Sequence, residues 1–159
     1  MDGAEAACPA CHLALKATTL SGVAVRICGQ CHGTLLAQID MIRTLEAMSV
    51  ELLKTIDPDE KLEAVGKREG TVACPTCART MARDDYCSAG IAHFDRCEPC
   101  RLLWVSAEAL GTMAMMWARM ERRLERVQRA TQEALDEADT YVRAARMKRM
   151  ASLVLSRFL

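Results

Sequence analysis

Eight of the nine cysteines fall into four C-x-x-C pairs, and the pairs themselves come in twos. Cys8 and Cys11 (C-P-A-C) are followed after sixteen residues by Cys28 and Cys31 (C-G-Q-C). Cys74 and Cys77 (C-P-T-C) are followed after nineteen by Cys97 and Cys100 (C-E-P-C). A C-x-x-C turn presents two thiolates to one ion from neighbouring loop positions, and zinc takes four thiolates as a tetrahedron. Both spacings leave room for a short β-hairpin and lie within the roughly 15 to 20 residues usual for a zinc ribbon. The reading is therefore two zinc ions per chain, one held by Cys8, Cys11, Cys28 and Cys31, the other by Cys74, Cys77, Cys97 and Cys100. Four thiolates close the coordination shell, so the metal is expected to organise the chain and not to catalyse.

The chemical rival is a thioredoxin-like redox pair, which sits near a βαβ pattern at a helix N-terminus. No such pattern surrounds any of the pairs. Cys87, the odd cysteine, lies inside the second hairpin and reads as an inert hairpin residue, with a reserve ligand or reactive thiol as alternatives. His12 and His32 each follow a ligand cysteine directly, which leaves a shell of three cysteines and one histidine as the alternative to four cysteines. His93 reads as an ordinary hairpin residue.

The stretch C-P-T-C-A-R-T-M at 74–81, with F-D-R-C-E-P-C-R-L-L-W-V-S-A-E-A-L at 94–110, resembles the TFIIB-type transcription factor zinc-finger family. Residues 8–41 resemble it more weakly. The resemblance implies zinc binding through Cys74, Cys77, Cys97 and Cys100, with Trp104 as aromatic cover and Leu110 as the first helix anchor. Ser106 stands where the family has Asp, Ala109 where it has Glu, and Leu102 where it has Gly; Gly33 in the first copy keeps that Gly.

The elements that must position these cysteines repeat with them. Leu15 and Met81 each follow the first pair by four residues, Val25 and Phe94 each precede the second pair by three, and Leu35 and Trp104 each lie four beyond it. All six are expected to cover the metal knuckles. Between the copies, residues 34–56 lack Gly and Pro and place Leu35, Ile39, Ile42, Leu45, Leu52 and Ile56 at helical spacing, predicting one helix of about six turns. Asp57 and Pro58 end it, with Asp57 as N-cap of a short second helix, and Gly66 to Gly70 is the linker candidate. After the second copy Ser106 caps a proline-free pattern of about 50 residues. Apolar or small residues recur there at Leu110, Met113, Trp117, Met120, Leu124, Val127, Thr131, Ala134, Ala138, Tyr141 and Ala145, the steps of three and four of a heptad seam. A coiled coil and a helical hairpin broken at Asp139-Thr140 both fit. The clustered methionines Met113, Met115, Met116 and Met120 read as core filling.

The expected architecture is thus small zinc-ribbon modules combined with long α-helices, mainly α by residue count. The segments are a first ribbon over 1–33, helix and linker over 34–70, a second ribbon over 71–105 and a helical segment over 106–159.

Twenty-one Lys and Arg balance twenty-one Asp and Glu, so no chain-wide field draws nucleic acid or anionic lipid. Trp104 and Phe94 near Arg96 and Arg101 are the one candidate stacking platform, but four arginines meet four acids over 71–105. From Tyr141 onward Arg143, Arg146, Lys148, Arg149 and Arg157 occur with no acid, a candidate surface for an acidic partner, a membrane surface or nucleic acid. The N-terminus lacks a basic start and an apolar core, pointing to the reducing cytoplasm, and no apolar run is long enough to span a bilayer. The expectation is a cytoplasmic, non-catalytic protein-binding or assembly protein; the alternative is a nucleic-acid-binding or transcription-linked adaptor.

Overall fold

The computed structural model describes residues 6–20, 22–66 and 70–155, with side chains to residue 150. The linker candidate falls largely on residues 67–69, outside the described residues, as do Arg157, Phe158 and Leu159. Two compact units are present, Met1–Met120 and Glu121–Leu159.

In the first unit the strands are β1 (Leu15–Leu20), β2 (Val23–Cys28), β3 (Thr34–Ala37), β4 (Ala82–Asp85), β5 (His93–Cys97) and β6 (Leu102–Val105), with helix α1 (Met41–Leu52) between β3 and β4. All neighbouring strands are antiparallel, and their spatial order is β1-β2-β3-β6-β5-β4. The order is a palindrome because each copy of the cysteine motif folds as three strands and the copies join through their third. At the join Leu35 faces Trp104, while Leu36 faces Leu103 and Thr34 faces Val105. Leu35 and Trp104 are equivalent positions of the repeat, so the pairing has a pseudo-two-fold axis through them. The expected separate modules are instead halves of one six-stranded sheet. Two ribbons that each expose an unpaired third strand satisfy those backbone groups against one another.

The same pairing corrects the helix expected over 34–56. Residues 34–37 are strand, a 3-10 turn covers Gln38–Asp40, and α1 begins only at Met41. Leu35 and Leu36 are both buried, one on each face of the sheet. That arrangement is available to a strand flanked on both edges. Ile39 and Ile42, assigned to the buried stripe, are exposed, and α1 instead buries Met41, Thr44, Leu45 and Ser49. Thr44 tolerates burial because its hydroxyl donates to the Asp40 carbonyl at 2.8 Å. No second helix follows Asp57; its carboxylate accepts the Asp59 N–H at 2.9 Å, an Asx turn.

Strand alternation divides the interior between the two faces. One face packs Cys8, Cys28, Cys74 and Cys97 with Leu15, Leu35, Met81 and Trp104. The other packs Val25, Leu36, Leu103 and Val105 with Leu45 of α1 and Leu110 and Met113 of the second helix. Val25 and Phe94 therefore do not cover the metal knuckles as expected. Each lies three residues before a cysteine on the same strand, and an odd offset puts it on the opposite face, where Phe94 packs against the helical core.

Helix α2 runs unbroken over Ala107–Leu155. Ser106 Oγ accepts the Ala109 N–H at 3.2 Å, so the serine caps as an aspartate would. Neither Gly111 nor Asp139-Thr140 interrupts the helix, which settles it against a hairpin. Its first turns bury Ala109, Leu110, Met113, Ala114 and Ala118; of the methionines expected to fill core, Met113 does, Met115 and Met116 are half-buried, and Met120 is exposed. Within the second unit every residue from Arg123 to Met150 is exposed. Among the described residues no helix is long and apolar enough to cross a membrane.

Candidate metal centres

Each cysteine pair sits in a turn, and the same backbone hydrogen bond builds three of the four. Cys8 N–H donates to Leu13 O at 2.7 Å, Cys28 N–H to Gly33 O at 3.0 Å and Cys74 N–H to Arg79 O at 2.8 Å. The residue after the second cysteine of each pair has left-handed backbone: His12 (φ 60°), His32 (φ 54°), Ala78 (φ 59°) and Arg101 (φ 51°). This answers the histidine question. His12 and His32 occupy a conformational slot that an alanine and an arginine fill in the other copy, and neither joins a ligand cluster.

The clusters contain cysteine alone. Sγ atoms of Cys8, Cys11, Cys28 and Cys31 all lie within 4.8 Å of one another, as do those of Cys74, Cys77, Cys97 and Cys100. Cys8 Sγ is 3.7 Å from Cys31 Sγ, and Cys77 Sγ is 3.6 Å from Cys97 Sγ. Zinc–sulfur arms of about 2.3 Å give a tetrahedron with edges of about 3.8 Å, so these separations fit one ion between four sulfurs. No disulfide bridges any pair. Backbone N–H groups of Ala10 and Cys11 point at Cys8 Sγ from 3.4 and 3.2 Å, supporting thiolate charge. Cys28 and Cys97 end β2 and β5, so the sheet fixes one buried corner of each tetrahedron. When bound, zinc would supply a charge centre that neutralises the thiolates and cross-links the two turns.

Proton affinity shows what the metal must resolve. Backbone N–H groups of Cys31 and Gln30 pull the Cys28 thiol down to about 7. The Arg79 N–H, with Cys100 beside it, does the same for Cys77, also to about 7. Hydrogen bonding to Cys77, then burial, pushes Cys100 up to about 12, and burial raises Cys8, Cys31 and Cys97. Without a cation each cluster favours one thiolate and keeps most of its other protons; zinc requires all four thiolates. A zinc-held thiolate has a depressed folded-state pKa, so its stabilisation is present at and above the free-thiol range and is lost as pH falls. Every proton a free thiol takes up competes with the metal, so zinc affinity falls steadily as pH falls. Acidifying the zinc-loaded protein from pH 7.5 to about 5 should release both metals and the β-sheet signal together, followed by a zinc-sensitive dye and circular dichroism. Full retention at pH 5, or release on raising the pH, would have the wrong sign.

Around the second cluster the charges are mutually engaged. Arg83 Nε donates to buried Asp95 at 3.2 Å, and Arg96 pairs with Asp84 at 2.7 Å and with Glu98. Trp104 is 3 % exposed. The stacking platform considered above therefore lacks an open aromatic face, and Arg96 is committed to acids. Cys87 is exposed, at a positive-φ position (φ 54°), outside both clusters.

One polar feature escaped the sequence reading. His93 Nδ1 lies 2.5 Å from Asp85 Oδ1 across the β4–β5 pair, and its buried Nε2 has no partner. It lines a cleft of about 180 Å³ together with Cys31, Gly33, Arg83, Asp95 and Trp104. The legible signal was an acid placed to oppose a histidine on a hairpin, visible only once the register is known.

No curated protein and no solved structure matches the chain. One family model does, and it covers the first cysteine cluster, β1 to β3 and the first half of α1; the second cluster lies outside it. The sequence reading ranked the copies the other way. The first has the shorter hairpin and the glycine after its second knuckle, whereas the second carries three extra residues and Leu102 there. Residues 7–47 match the TFIIB-type transcription factor zinc-finger family, and residues 74–100 repeat its four-cysteine geometry in the same sheet.

Proposed function

We propose that this is a non-catalytic zinc-binding protein whose tandem ribbons form a rigid base for protein–protein assembly through α2. The observation that carries this is the seam of the second unit: Leu124, Val127 and Tyr141 are each more than half exposed. A long helix with an apolar stripe gains its stability from covering that stripe, and exposed apolar surface of this extent marks interaction sites. The non-catalytic part rests on chemistry, since a shell of four thiolates offers no open position. Reduced cysteines are required throughout, which suits a reducing compartment such as the cytoplasm.

The test is the oligomeric state of the zinc-loaded chain. Leu124→Glu should abolish association, read by light scattering, while leaving two zincs per chain. A wild-type monomer at about 100 μM, far weaker than the range of stable assemblies, or association indifferent to Leu124→Glu, would contradict the reading.

A nucleic-acid adaptor is the second reading, favoured by the name of the matching family and by exposed Arg143, Arg146, Lys148 and Arg149. Contact of that kind weakens steeply with salt. No retention of the metal-loaded chain on DNA or RNA at low salt counts against it.

A further inference from the structure

We infer that the cleft beside the β4–β5 hairpin binds a small neutral carboxamide, its N–H held by His93 and its carbonyl by Ser106. The site goes beyond the assembly reading, since its residues belong to the first unit and none to the exposed seam.

Sheet register brings the polar groups into line. Asp85 faces His93 across β4 and β5, and Asp95 faces Trp104 across β5 and β6. Continued by two residues, the second pairing sets Ser106, the residue that follows β6, beside His93. Both line the cleft, with Trp104 in the neighbouring layer. The histidine side chain is 8 % exposed; its Nδ1 lies 2.5 Å from Asp85 Oδ1, and its buried Nε2 has no partner. A carboxylate against Nδ1 keeps the ring proton there, so Nε2 of the neutral imidazole carries a lone pair. A buried acceptor without a donor is destabilising, and a ligand that brings the donor relieves it.

Ser106 supplies the complementary group. Its Oγ accepts the Ala109 N–H at 3.2 Å as the cap of α2, which leaves the hydroxyl proton to donate. An acceptor and a donor on neighbouring strands, about 4.8 Å apart, suit the N–H and C=O that a carboxamide carries on one carbon.

Charge selects against ionic ligands. Cys31 lines the cleft and belongs to the first cluster, and four thiolates around one zinc leave that centre net negative. Asp95 adds a carboxylate, which Arg83 Nε offsets from 3.2 Å. An anion entering the cleft therefore meets negative charge. A cation meets Arg83 and the positive end of α2, which starts at Ala107. A neutral ligand avoids both. Val65, Ala109 and the Trp104 indole offer apolar wall to its alkyl part. The volume of about 180 Å³ admits only a few heavy atoms, being below the roughly 300 to 1,000 Å³ of sites for larger ligands.

The test uses the full, zinc-loaded chain at about pH 8, where an ordinary imidazole is neutral. Propionamide is the probe, and the His93 ring nitrogens and the Trp104 indole N–H are followed by NMR. Saturable binding on the order of millimolar, the strength open to a ligand of a few heavy atoms, should shift the Nε2 resonance. Propionate and propylammonium, of similar size, should bind at least about tenfold more weakly. His93→Phe fills the ring's space without the acceptor, and Ser106→Asp keeps the helix cap without the hydroxyl donor. Each should weaken propionamide about tenfold while two zincs per chain remain. No saturable shift at His93 up to about 0.1 M propionamide, far above the expected range, overturns the site. So does propionate or propylammonium binding as tightly as the amide, or affinity that either zinc-loaded variant leaves unchanged. Should a variant lose zinc, the comparison of the three probes on the wild-type chain decides.

Discussion

Cys97→Ser will cost the protein its second zinc and, with it, the whole of the first unit's sheet, including the first ribbon. The effect is large because a structural zinc contributes roughly 10 to 16 kcal/mol apparent to folding in ribbon-sized systems, more than the net stability of most domains of this size. Cys97 is a buried corner of its cluster and the last residue of β5. Losing it releases β5 from the metal and, through the Cys97–Leu102 and Asp95–Trp104 pairings, loosens β6. Strand β6 is the partner of β3, which belongs to the first ribbon. In two independent modules the damage would stop at residue 71; in one shared sheet it crosses the join. Amide exchange on the variant should therefore show lost protection in β2 and β3 as well as β5 and β6. Protection confined to a folded first ribbon would show that the two halves fold separately.

The second large effect belongs to the join. The Trp104 indole lies over Gly33 so closely that a Cβ placed there would be 2.3 Å from Cζ2 and 2.6 Å from Cη2. Trp104→Ala should cost about 3 to 5 kcal/mol, the range for truncating a buried aromatic, because Trp104 packs with cysteines and apolar residues of both copies. Gly33→Ala should cost about 1 to 3 kcal/mol by forcing the ring aside. The two changes share one space, so the double variant should cost less than their sum. Urea unfolding of the four proteins, zinc-saturated throughout, measures this coupling. Strict additivity would mean that Gly33 is not shaped by the indole. The glycine retained after the second knuckle of the first ribbon thus answers to a tryptophan in the second.

These two results mark where local sequence stops being informative. The clusters were legible because ligation needs particular atoms at particular spacings, and C-x-x-C repeated at sixteen and nineteen residues states both. The helical character of α2 and its start were legible too, since a cap at Ser106 and the absence of proline are local facts; its continuity past Asp139-Thr140 was not, because one long helix and a folded-back pair share the same apolar spacing. Strand β3 was hidden because Thr34-Leu35-Leu36 runs without a break into the pattern of α1, and a short apolar run does not distinguish strand from helix. What makes it a strand is β6, far away in the chain. The misplaced Val25 and Phe94 had a readable clue in their odd offset from Cys28 and Cys97, but it applies only once those segments are taken as strands. His93 and Asp85 needed the register of β4 against β5. The single sheet itself is a long-range pairing that no spacing along the chain encodes.

X-ray absorption at the zinc edge, together with metal content per chain, tests the centre of the account. Two zincs per chain, each with four sulfur neighbours at about 2.3 Å, are the result expected from the two cysteine clusters. Fewer than two zincs with the remaining cysteines oxidised, or a shell containing nitrogen from His12 or His32, would contradict it.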